Sequence, residues 1–266
     1  MSFKDAFQKY IDHPKDHHDL VLFHDENVII IKDGFPKSLR HLLVIPRNPI
    51  ITKQHPLDVF NSNYDEYTGE GLYQLISKYV DKAKQLIIDD LIQKFNLNPE
   101  EYRLKLDEFK NTFIKAGVHS IPSLSNLHIH VLTQDFHSPR MKNKKHYNSF
   151  TTKFFVPFEQ LNPIFNEKYY KLNNTNHPID DDYDPDSDYG SNSSASDEDE
   201  YRPKFIRHIR LKASLLDIIS NTPYKCTSCD STFGNSLVKL KDHLSKEYQK
   251  RYSIFGDPSI LSPNNI

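Results

Sequence analysis

The length of 266 residues allows one large domain or two smaller ones, and it is sufficient to bury a hydrophobic core. The chain has no run of about 18 apolar residues, and its first residues lack the signal-peptide pattern, so we expect neither a transmembrane helix nor a secretory signal. Its two cysteines are too few for a disulfide framework. We therefore expect a soluble intracellular protein with no membrane partner.

The net charge of −2 conceals a strong separation of charge along the chain. Residues 180–200 contain ten acidic side chains and no Lys or Arg, so the rest of the chain carries a charge of +8. A segment of this composition cannot bury enough apolar surface to fold, and we interpret residues 174–201 as an acidic disordered linker between two modules. Besides a simple spacer, two functional alternatives stay open. They are an electrostatic competitor of nucleic acid and a phosphorylation cluster at Ser193, Ser194 and Ser196.

The elements predicted before the linker describe an α+β domain. A helix is predicted at residues 3–11, where apolar side chains recur at helical spacing. A longer helical region is predicted over residues 65–110, with a break at Asn98 and Pro99. Runs of apolar and β-branched residues predict strands at 20–25, 27–33, 41–47, 111–119 and 126–134. The first three strands favour an antiparallel meander, and helices are inserted before the last two.

The last predicted strand carries a row of polar side chains on an apolar background. Because side chains alternate along a strand, Asn126, His128 and His130 share one face, and the aliphatic residues between them share the other. A structural core histidine and a metal site are the competing interpretations. Packing does not need a row of imidazoles, and the face offers no evident third and fourth metal ligand. Phosphorus chemistry fits better, since one imidazole can attack a phosphoryl centre while another binds its oxygens.

Several segments of the chain resemble a known family. NLHIHVLTQ resembles the histidine-triad motif, and KDGFPKSLRHLLVIP resembles the upstream nucleotide-binding segment of that superfamily. GVHSIPSLSNLHIHVLTQDFHSP, followed by KNKKHYNSF, is similar more specifically to the aprataxin family of DNA deadenylating enzymes. CTSCDSTFGNSLVKLKDHLSKE resembles the C-terminal zinc finger of that family. The resemblance covers residues 1–160 and 204–252, and it is to the short fungal-type form, which has no forkhead-associated domain.

The resemblance implies an α+β histidine-triad domain at residues 1–165, with an antiparallel sheet and inserted helices, and a small zinc-finger DNA-binding module at residues 202–255. It implies a repair enzyme that removes AMP from 5′-adenylated DNA ends through a covalent histidine–AMP intermediate. The expected partners are nicked or broken DNA, AMP as product, and a DNA ligase or repair factor. We expect a monomer in the nucleus, with the cytoplasm as a second location. A general nucleotide phosphoramidase or dinucleotide hydrolase, and a DNA-end-binding module with a vestigial site, stay open as alternatives.

The family motif also implies roles for the residues around the triad. His128, at the middle position, is expected to attack the phosphorus, and His130 and His119 are expected to hold the phosphoryl oxygens and assist the leaving group. Asn126, which we assign to the substrate-binding residues, stands instead of a histidine at the first triad position, where an orienting role is expected, and its amide can still make a hydrogen bond there. Ser123 and nearby backbone N–H groups would complete the phosphate cradle.

The remaining expected roles concern substrate and DNA. Asp33 matches the family's ribose-hydroxyl acceptor, and Lys145 matches a lysine that reaches the adenylate phosphates. Lys37 is assigned to the substrate set, with His41 of the same segment in a structural or supporting role. The residues expected to contact DNA are Phe35, through stacking on an end base, and the basic side chains of Lys142, Lys144, His146, Lys239 and Lys241.

The spacing of four residues predicts a structural zinc site in the second module. Cys226 and Cys229 form a CxxC pair, and His243 and Glu247 are four residues apart, so both can lie on one face of a helix. A disulfide or redox CxxC is the alternative, but no βαβ pattern surrounds it. Residues 202–252 contain eleven Lys and Arg against four Asp and Glu, which predicts that the module holds DNA and takes no part in the chemistry.

Overall fold

A computed structural model describes residues 3–165 and 212–261 of the chain. The predicted linker at 174–201 and the first ten residues of the predicted zinc-finger module lie outside this part. Within it, none of the helices combines the length and the apolar character that a bilayer crossing requires. The elements are α1 (Gln8–Asp12), β1 (Val21–His24), β2 (Val28–Lys32), β3 (His41–Pro46), α2 (Gly69–Phe95), α3 (Pro99–Thr112), β4 (Ile114–His119), β5 (Ile129–Thr133), α4 (Lys144–Thr151), β6 (Phe155–Pro157), α5 (Lys212–Asn221), β7 (Tyr224–Lys225), β8 (Thr232–Gly234) and α6 (Leu237–Tyr252).

Six of the strands form one antiparallel sheet in the order β1-β2-β3-β5-β4-β6. The predicted α+β architecture and the meander of the first three strands are confirmed. Two strands begin three residues later than predicted, and the other boundaries agree to within one residue. Helix α3 continues to Thr112, which delays β4, and β5 begins only at Ile129, so Asn126 and His128 precede the strand. The prediction of a continuous strand from residue 126 was therefore wrong for its first three residues.

Helices α2 and α3 cover one face of the sheet and build the larger part of the core. The Thr68 hydroxyl caps the start of α2 by accepting a hydrogen bond from the Gly71 N–H. Asn98 caps α3 in the same way, with Pro99 in its first turn, which confirms the predicted helix break. The core beneath these helices includes Leu72, Ile76, Val80, Ile87 and Phe109 from the helices and Ile30, Val44, Ile129 and Val131 from the sheet.

The opposite face of the sheet is covered by shorter elements. Helix α1 packs Ile11 against aliphatic side chains of β2 and β3. Helix α4, which the sequence analysis treated only as a basic cluster, packs Tyr147 and Phe150 against Leu132 of β5. Asn143 caps α4 by accepting from the His146 N–H at 3.0 Å. The space between α1 and α4 is where the polar row of the sequence lies.

The C-terminal elements share cores with the rest of the chain. Near its start, α6 packs Leu240 and Leu244 against the hairpin β7–β8 and helix α4. Near its end, Tyr248 and Tyr252 are buried in the larger core, where the Tyr252 ring lies 5.5 Å from that of Phe109. A single helix thus extends from the predicted metal-binding residues to the helical layer of the first domain.

Candidate active site

Four histidines are gathered on the face of the sheet opposite α2 and α3. His41 begins β3, His119 ends β4, and His130 lies on β5 between them. His128 lies directly before β5. The ring centroids of His119, His128 and His41 lie 4.5, 5.0 and 5.1 Å from that of His130. The structure therefore brings the three predicted catalytic histidines together and adds His41 to them.

The hydrogen bonds of His41 determine where the protons are on two of these rings. Burial lowers the pKa of His41 to about 4, although the Asp33 carboxylate opposes the shift, so the ring is neutral and has one N–H. The backbone N–H of Lys37 donates to Nδ1 of His41 at 3.2 Å. The proton of His41 is therefore on Nε2, which lies 2.9 Å from Nδ1 of His130 and donates to it.

The hydrogen bond from His41 gives the His130 ring an N–H donor with a fixed direction. Burial lowers its pKa well below the usual value, and the neighbouring His119 lowers it further, so the ring is neutral. With Nδ1 accepting from His41, the proton of His130 is on Nε2. That nitrogen is buried and has no partner among the described residues. A buried unpaired donor is rare in folded proteins, and here it suits the oxygen of a bound phosphoryl group.

His128 has the opposite arrangement of its ring nitrogens. Its Nδ1 lies 2.7 Å from the backbone carbonyl oxygen of Asn126, which can only accept, so Nδ1 carries the proton. Burial lowers the pKa of His128, against the opposing effects of that hydrogen bond and of Asp33. A neutral ring with Nδ1 protonated leaves the lone pair on Nε2. This is the form in which an imidazole acts as a nucleophile.

His119 completes the row on the far side of His130. Its Nε2 is also buried and unpaired within the described part of the chain. Burial lowers its pKa well below the usual value, and the charges of neighbouring groups, His128 first, add to the effect. The Phe150 ring of α4 lies 4.6 Å from the His119 ring and 5.1 Å from that of His130, and it forms an apolar wall behind them. The ring of Phe150 thus contributes to the burial of the two imidazoles.

Asn126, in the first position of the motif, acts through its backbone. Its side-chain N–H groups donate to the Thr52 hydroxyl at 3.2 Å and to the Gln8 carboxamide oxygen at 3.3 Å. Its backbone carbonyl is the group that holds His128. The orienting role expected of this position is thus supplied without an imidazole, while the side chain ties the loop before β5 to α1 and to residue 52.

Asp33 lies at the edge of the histidine row. One carboxylate oxygen accepts from the Phe35 N–H at 2.7 Å, and the other lies 3.5 Å from Nε2 of His41. Lys37 donates through its ammonium group to the Phe35 carbonyl, and burial lowers its pKa. The Phe35 side chain is 62% exposed, with the Arg140 guanidinium 5.5 Å from its ring centre. An acidic group, a lysine and an exposed ring therefore border one side of the site.

Asp33, His41 and His130 also offer three ligand atoms within 4.8 Å of one another. The proton order described above argues against a metal ion there. A metal ligand needs the Nε2 lone pair of His41, but the Lys37 N–H occupies Nδ1 and leaves the proton on Nε2. The Lys37 N–H, His41 and His130 instead form a chain of hydrogen bonds in which the position of each proton is defined, and we call it the proton-ordered chain.

The other predicted substrate and DNA residues are distributed over two places. Ser123 is exposed in the loop before β5, and the small pocket beside His119 and His128 is lined by its neighbours Pro122, Leu124 and Ser125. Lys142 and Lys145 are exposed at the start of α4. Lys239 is exposed and Lys241 is half-buried, both on α6.

Two of the predicted DNA contacts make internal hydrogen bonds. Lys144 donates through its ammonium group to the Asn235 side chain, and it lies 5.6 Å from the centre of the Tyr224 ring. Nδ1 of His146 accepts from the Lys142 N–H at 3.2 Å, and burial lowers the pKa of the ring. In this conformation, Lys144 connects α4 to the C-terminal module, and His146 stabilises the turn before α4.

The four predicted metal-binding residues form a group on the C-terminal module. Ligand atoms of Cys226, Cys229 and His243 lie within 4.8 Å of one another. The Cys229 sulfur is 3.2 Å from Nε2 of His243, and a Glu247 carboxylate oxygen is 4.0 Å from the same nitrogen. Two thiolates, an imidazole and a carboxylate at these distances fit a structural Zn²⁺ site, and the helix places His243 and Glu247 on one face as predicted.

Comparison with known proteins decides the family. The family described as "Scavenger mRNA decapping enzyme C-term binding" matches residues 4–146. The Aprataxin-like protein of Saccharomyces cerevisiae is 30% identical over 261 residues, which are 96% of this chain and 100% of that protein. The Aprataxin-like protein of Schizosaccharomyces pombe is 30% identical over 247 residues, which are 93% of this chain and 82% of that protein. This chain belongs to the aprataxin family.

Solved structures of this family share the fold. The crystal structure of the aprataxin ortholog Hnt3 in complex with DNA has a TM-score of 0.62 at 28% identity, and the match covers 98% of this chain and 100% of that one. The ortholog from Schizosaccharomyces pombe has a TM-score of 0.60 at 28% identity, with coverage of 94% and 95%. The family and its histidine-triad fold support a nucleotide hydrolase.

In this member of the aprataxin family, sequence reasoning missed two features of the site. The first is the part of His41 in ordering the protons, which depends on a contact between strands β3 and β5. The second is α4, whose Phe150 lines the site. The other side of α4 makes hydrogen bonds to the C-terminal module. The Tyr147 hydroxyl donates to the Lys225 carbonyl at 2.9 Å, and the Asn148 side-chain N–H donates to the Thr222 carbonyl at 2.8 Å. The apolar side chains at 147 and 150, one helical turn apart, were the available signal for this helix.

Proposed function

We propose that this chain is a DNA 5′-adenylate hydrolase of nuclear DNA repair that acts through a covalent intermediate on His128. The observation that carries the proposal is the hydrogen bond between the Asn126 carbonyl and Nδ1 of His128. It leaves a nucleophilic lone pair on Nε2, beside two imidazoles whose Nε2 atoms are buried and unpaired within the described residues. The solved DNA complex of the aprataxin ortholog Hnt3 supports DNA as the substrate class.

The reaction would proceed in two displacement steps at one phosphorus. Nε2 of His128 attacks the phosphorus of the AMP group, and the bond to the bridging oxygen breaks, so that the DNA leaves with its 5′-phosphate. Water then attacks the same phosphorus, which releases AMP and restores His128. Because the leaving group in the first step is already a phosphate, positioning and charge stabilisation contribute more than proton donation.

The surrounding histidines would stabilise the transferring group. His130 presents a fixed N–H from Nε2, and His119 lies on the other side of it. Both rings are buried and neutral, so they contribute oriented dipoles in surroundings of low polarity, where such dipoles are effective. The proton order imposed through His41 keeps the His130 donor directed at the phosphoryl oxygens.

Residues outside the row would hold the adenylate and the DNA. Asp33 would receive the ribose hydroxyls, and the Phe35 ring, which is exposed, would stack on a base at the DNA end. Lys145, exposed on α4, would reach the adenylate phosphates, and the basic residues Lys142, Lys239 and Lys241 would contact the DNA backbone.

The C-terminal module would hold a structural Zn²⁺ ion. Cys226, Cys229 and His243 supply three donors, and Glu247 is the fourth. The ion would supply folding free energy to the hairpin and the first turns of α6, as in other small zinc modules. It would take no part in the steps at phosphorus.

The test is turnover of nicked DNA with a 5′-adenylate, compared with an AMP phosphoramidate as a small adenylate. We expect AMP release from both, with a higher kcat/KM on the DNA substrate. Radiolabelled AMP trapped on the protein should map to His128. Label on another residue would overturn the mechanism, and equal kcat/KM on the two substrates would favour a general nucleotide hydrolase.

A further inference from the structure

The buried carboxylate of Asp135 connects three separate segments of the chain. One oxygen accepts from the Leu39 N–H and from the His137 N–H, each at 2.8 Å. The other oxygen accepts from the Tyr252 hydroxyl of α6 at 2.8 Å. Asp135 is 3% exposed, and Tyr252 is fully buried. A buried carboxylate with three donors is fixed in position, and so are the groups that donate to it.

On one side, Asp135 holds the segment of residues 36–41. This segment contains the Lys37 N–H and His41, where the proton-ordered chain begins. Leu39 is two residues before His41, and the adjacent N–H of Arg40 donates to the Thr133 hydroxyl at 3.2 Å. The Pro36 carbonyl accepts from the Ser138 hydroxyl at 2.6 Å. Residues 36–41 are therefore held along their length by residues 133–138. The Lys37 N–H that sets the proton of His41 belongs to this segment.

The loop after β5 needs such a bond to keep its shape. Phe136 has a φ of 46°, a left-handed backbone conformation that side chains with a Cβ rarely adopt. The bond from the His137 N–H to Asp135 spans this residue and closes the turn. Loss of the fixed carboxylate would allow the loop, and with it residues 36–41, to relax.

From these contacts we propose that Asp135 and Tyr252 are positioning residues for the chemical step. Through them, the end of α6 fixes the backbone at Leu39, which holds His41 against His130. The inference rests on the proposed function for its enzymatic readout. It differs from a DNA-holding role for the C-terminal module, because a loss of positioning lowers kcat on any adenylate, including one without DNA.

The chain offers a matched control on the same helix. Tyr248 lies one turn before Tyr252, is buried in the same core, and donates its hydroxyl to the Pro258 carbonyl at 2.6 Å. Each Tyr→Phe change keeps the ring and deletes one buried hydrogen bond. Only Tyr252 reaches the carboxylate that holds the active-site segment. The two variants should therefore lose similar stability and differ in catalysis.

The experiment compares Tyr252→Phe with Tyr248→Phe in the full-length, zinc-loaded protein. We expect Tyr252→Phe to lower kcat by about tenfold on both adenylated DNA and the AMP phosphoramidate, with KM nearly unchanged, since small errors in alignment act on the chemical step. Tyr248→Phe should keep the wild-type kcat, although its Tm should fall by about as much as that of Tyr252→Phe. Asp135→Asn should keep most of the activity, because its amide oxygen can still accept from Leu39 and His137 and its amide N–H can donate to the Tyr252 hydroxyl oxygen, whereas Asp135→Ala should lose it.

A second readout does not depend on turnover. ¹⁵N spectra of the imidazoles should show the neutral Nε2–H form of His41 in the wild type and in Tyr248→Phe, and a mixture of forms in Tyr252→Phe. If Tyr252→Phe keeps both the wild-type kcat and the wild-type spectrum, the positioning role is overturned. If the wild type turns over neither substrate, the proposed function fails, and the spectra alone decide the positioning role.

Discussion

The backbone carbonyl of Asn126 and Nδ1 of His128 lie 2.7 Å apart, and this bond leaves the lone pair of the ring on Nε2, the atom that attacks phosphorus in the proposed reaction. The bond depends on the backbone alone, so the family's first motif position can be Asn without loss of the orienting contact. The side chain of Asn126 is then available to bond Thr52 and Gln8. A departure from the histidine-triad pattern is thereby compatible with an intact nucleophile.

His128→Ala and His128→Asn should both abolish turnover, because neither side chain can form the covalent adenylate. Circular dichroism and Tm should show that both variants fold. The matched control is His18→Asn, which changes an exposed histidine outside the row and should leave kcat unchanged. Residual turnover of His128→Ala above the rate without enzyme would show that another residue attacks.

The stability of the protein should fall as the pH decreases from about 6.5 to about 4. The pKa of His41 is about 4 in the folded chain and near its usual 6.5 in the unfolded chain. The unfolded state therefore binds the extra proton first as the pH falls, and this group alone lowers the free energy of unfolding by up to about 1.4 kcal/mol per pH unit in that window.

The measurement is urea denaturation at several pH values for the wild type and for His41→Asn, which has no imidazole at that position. The variant should show a shallower decrease on acidification, although it is less stable at pH 7. Parallel pH curves for the two proteins would contradict the assignment of a neutral, buried ring to His41.

Phe35→Ala should weaken the processing of DNA ends and leave the small adenylate unaffected. The ring is 62% exposed, and loss of one stacked base costs about 1–3 kcal/mol. We expect kcat/KM on adenylated DNA to fall by roughly five- to 150-fold. Leu104→Ala removes another exposed apolar side chain, on α3, and serves as the control. A similar loss on both substrates would place Phe35 in the adenylate site and not at the DNA end.

Removal of Zn²⁺ by a strong chelator, or Cys229→Ala, should weaken DNA binding and also lower the Tm of the catalytic part. The sequence predicted a module that holds DNA and takes no part in the chemistry, so that hydrolysis of a small adenylate would persist after such a change. The packing of Tyr248 and Tyr252 in the larger core changes this expectation, because unfolding of α6 would remove both. Thermal unfolding and turnover of both substrates, with and without chelator, would test it. Two independent transitions would indicate that the end of α6 stays folded without metal.

The sequence determined the parts of the structure that depend on local patterns. The meander follows from three apolar runs joined by short turns, and the break between α2 and α3 follows from Asn98 and Pro99. The i and i+4 spacing of His243 and Glu247 on a helix predicted their common face. The alternation of polar and apolar residues around His130 predicted that His128 and His130 lie together, and the resemblance to the histidine-triad motif assigned the attack to His128.

Only the tertiary structure decided the proton order of the histidines and the connection between the two modules. The bond between His41 and His130 joins residues 89 positions apart, and that between Asp135 and Tyr252 joins residues 117 apart. No local pattern encodes such pairs, because their geometry depends on which strands are neighbours and on how α6 packs. Burial, which keeps the imidazoles neutral, is likewise a property of the assembled core, since the same side chains on an isolated strand would be hydrated.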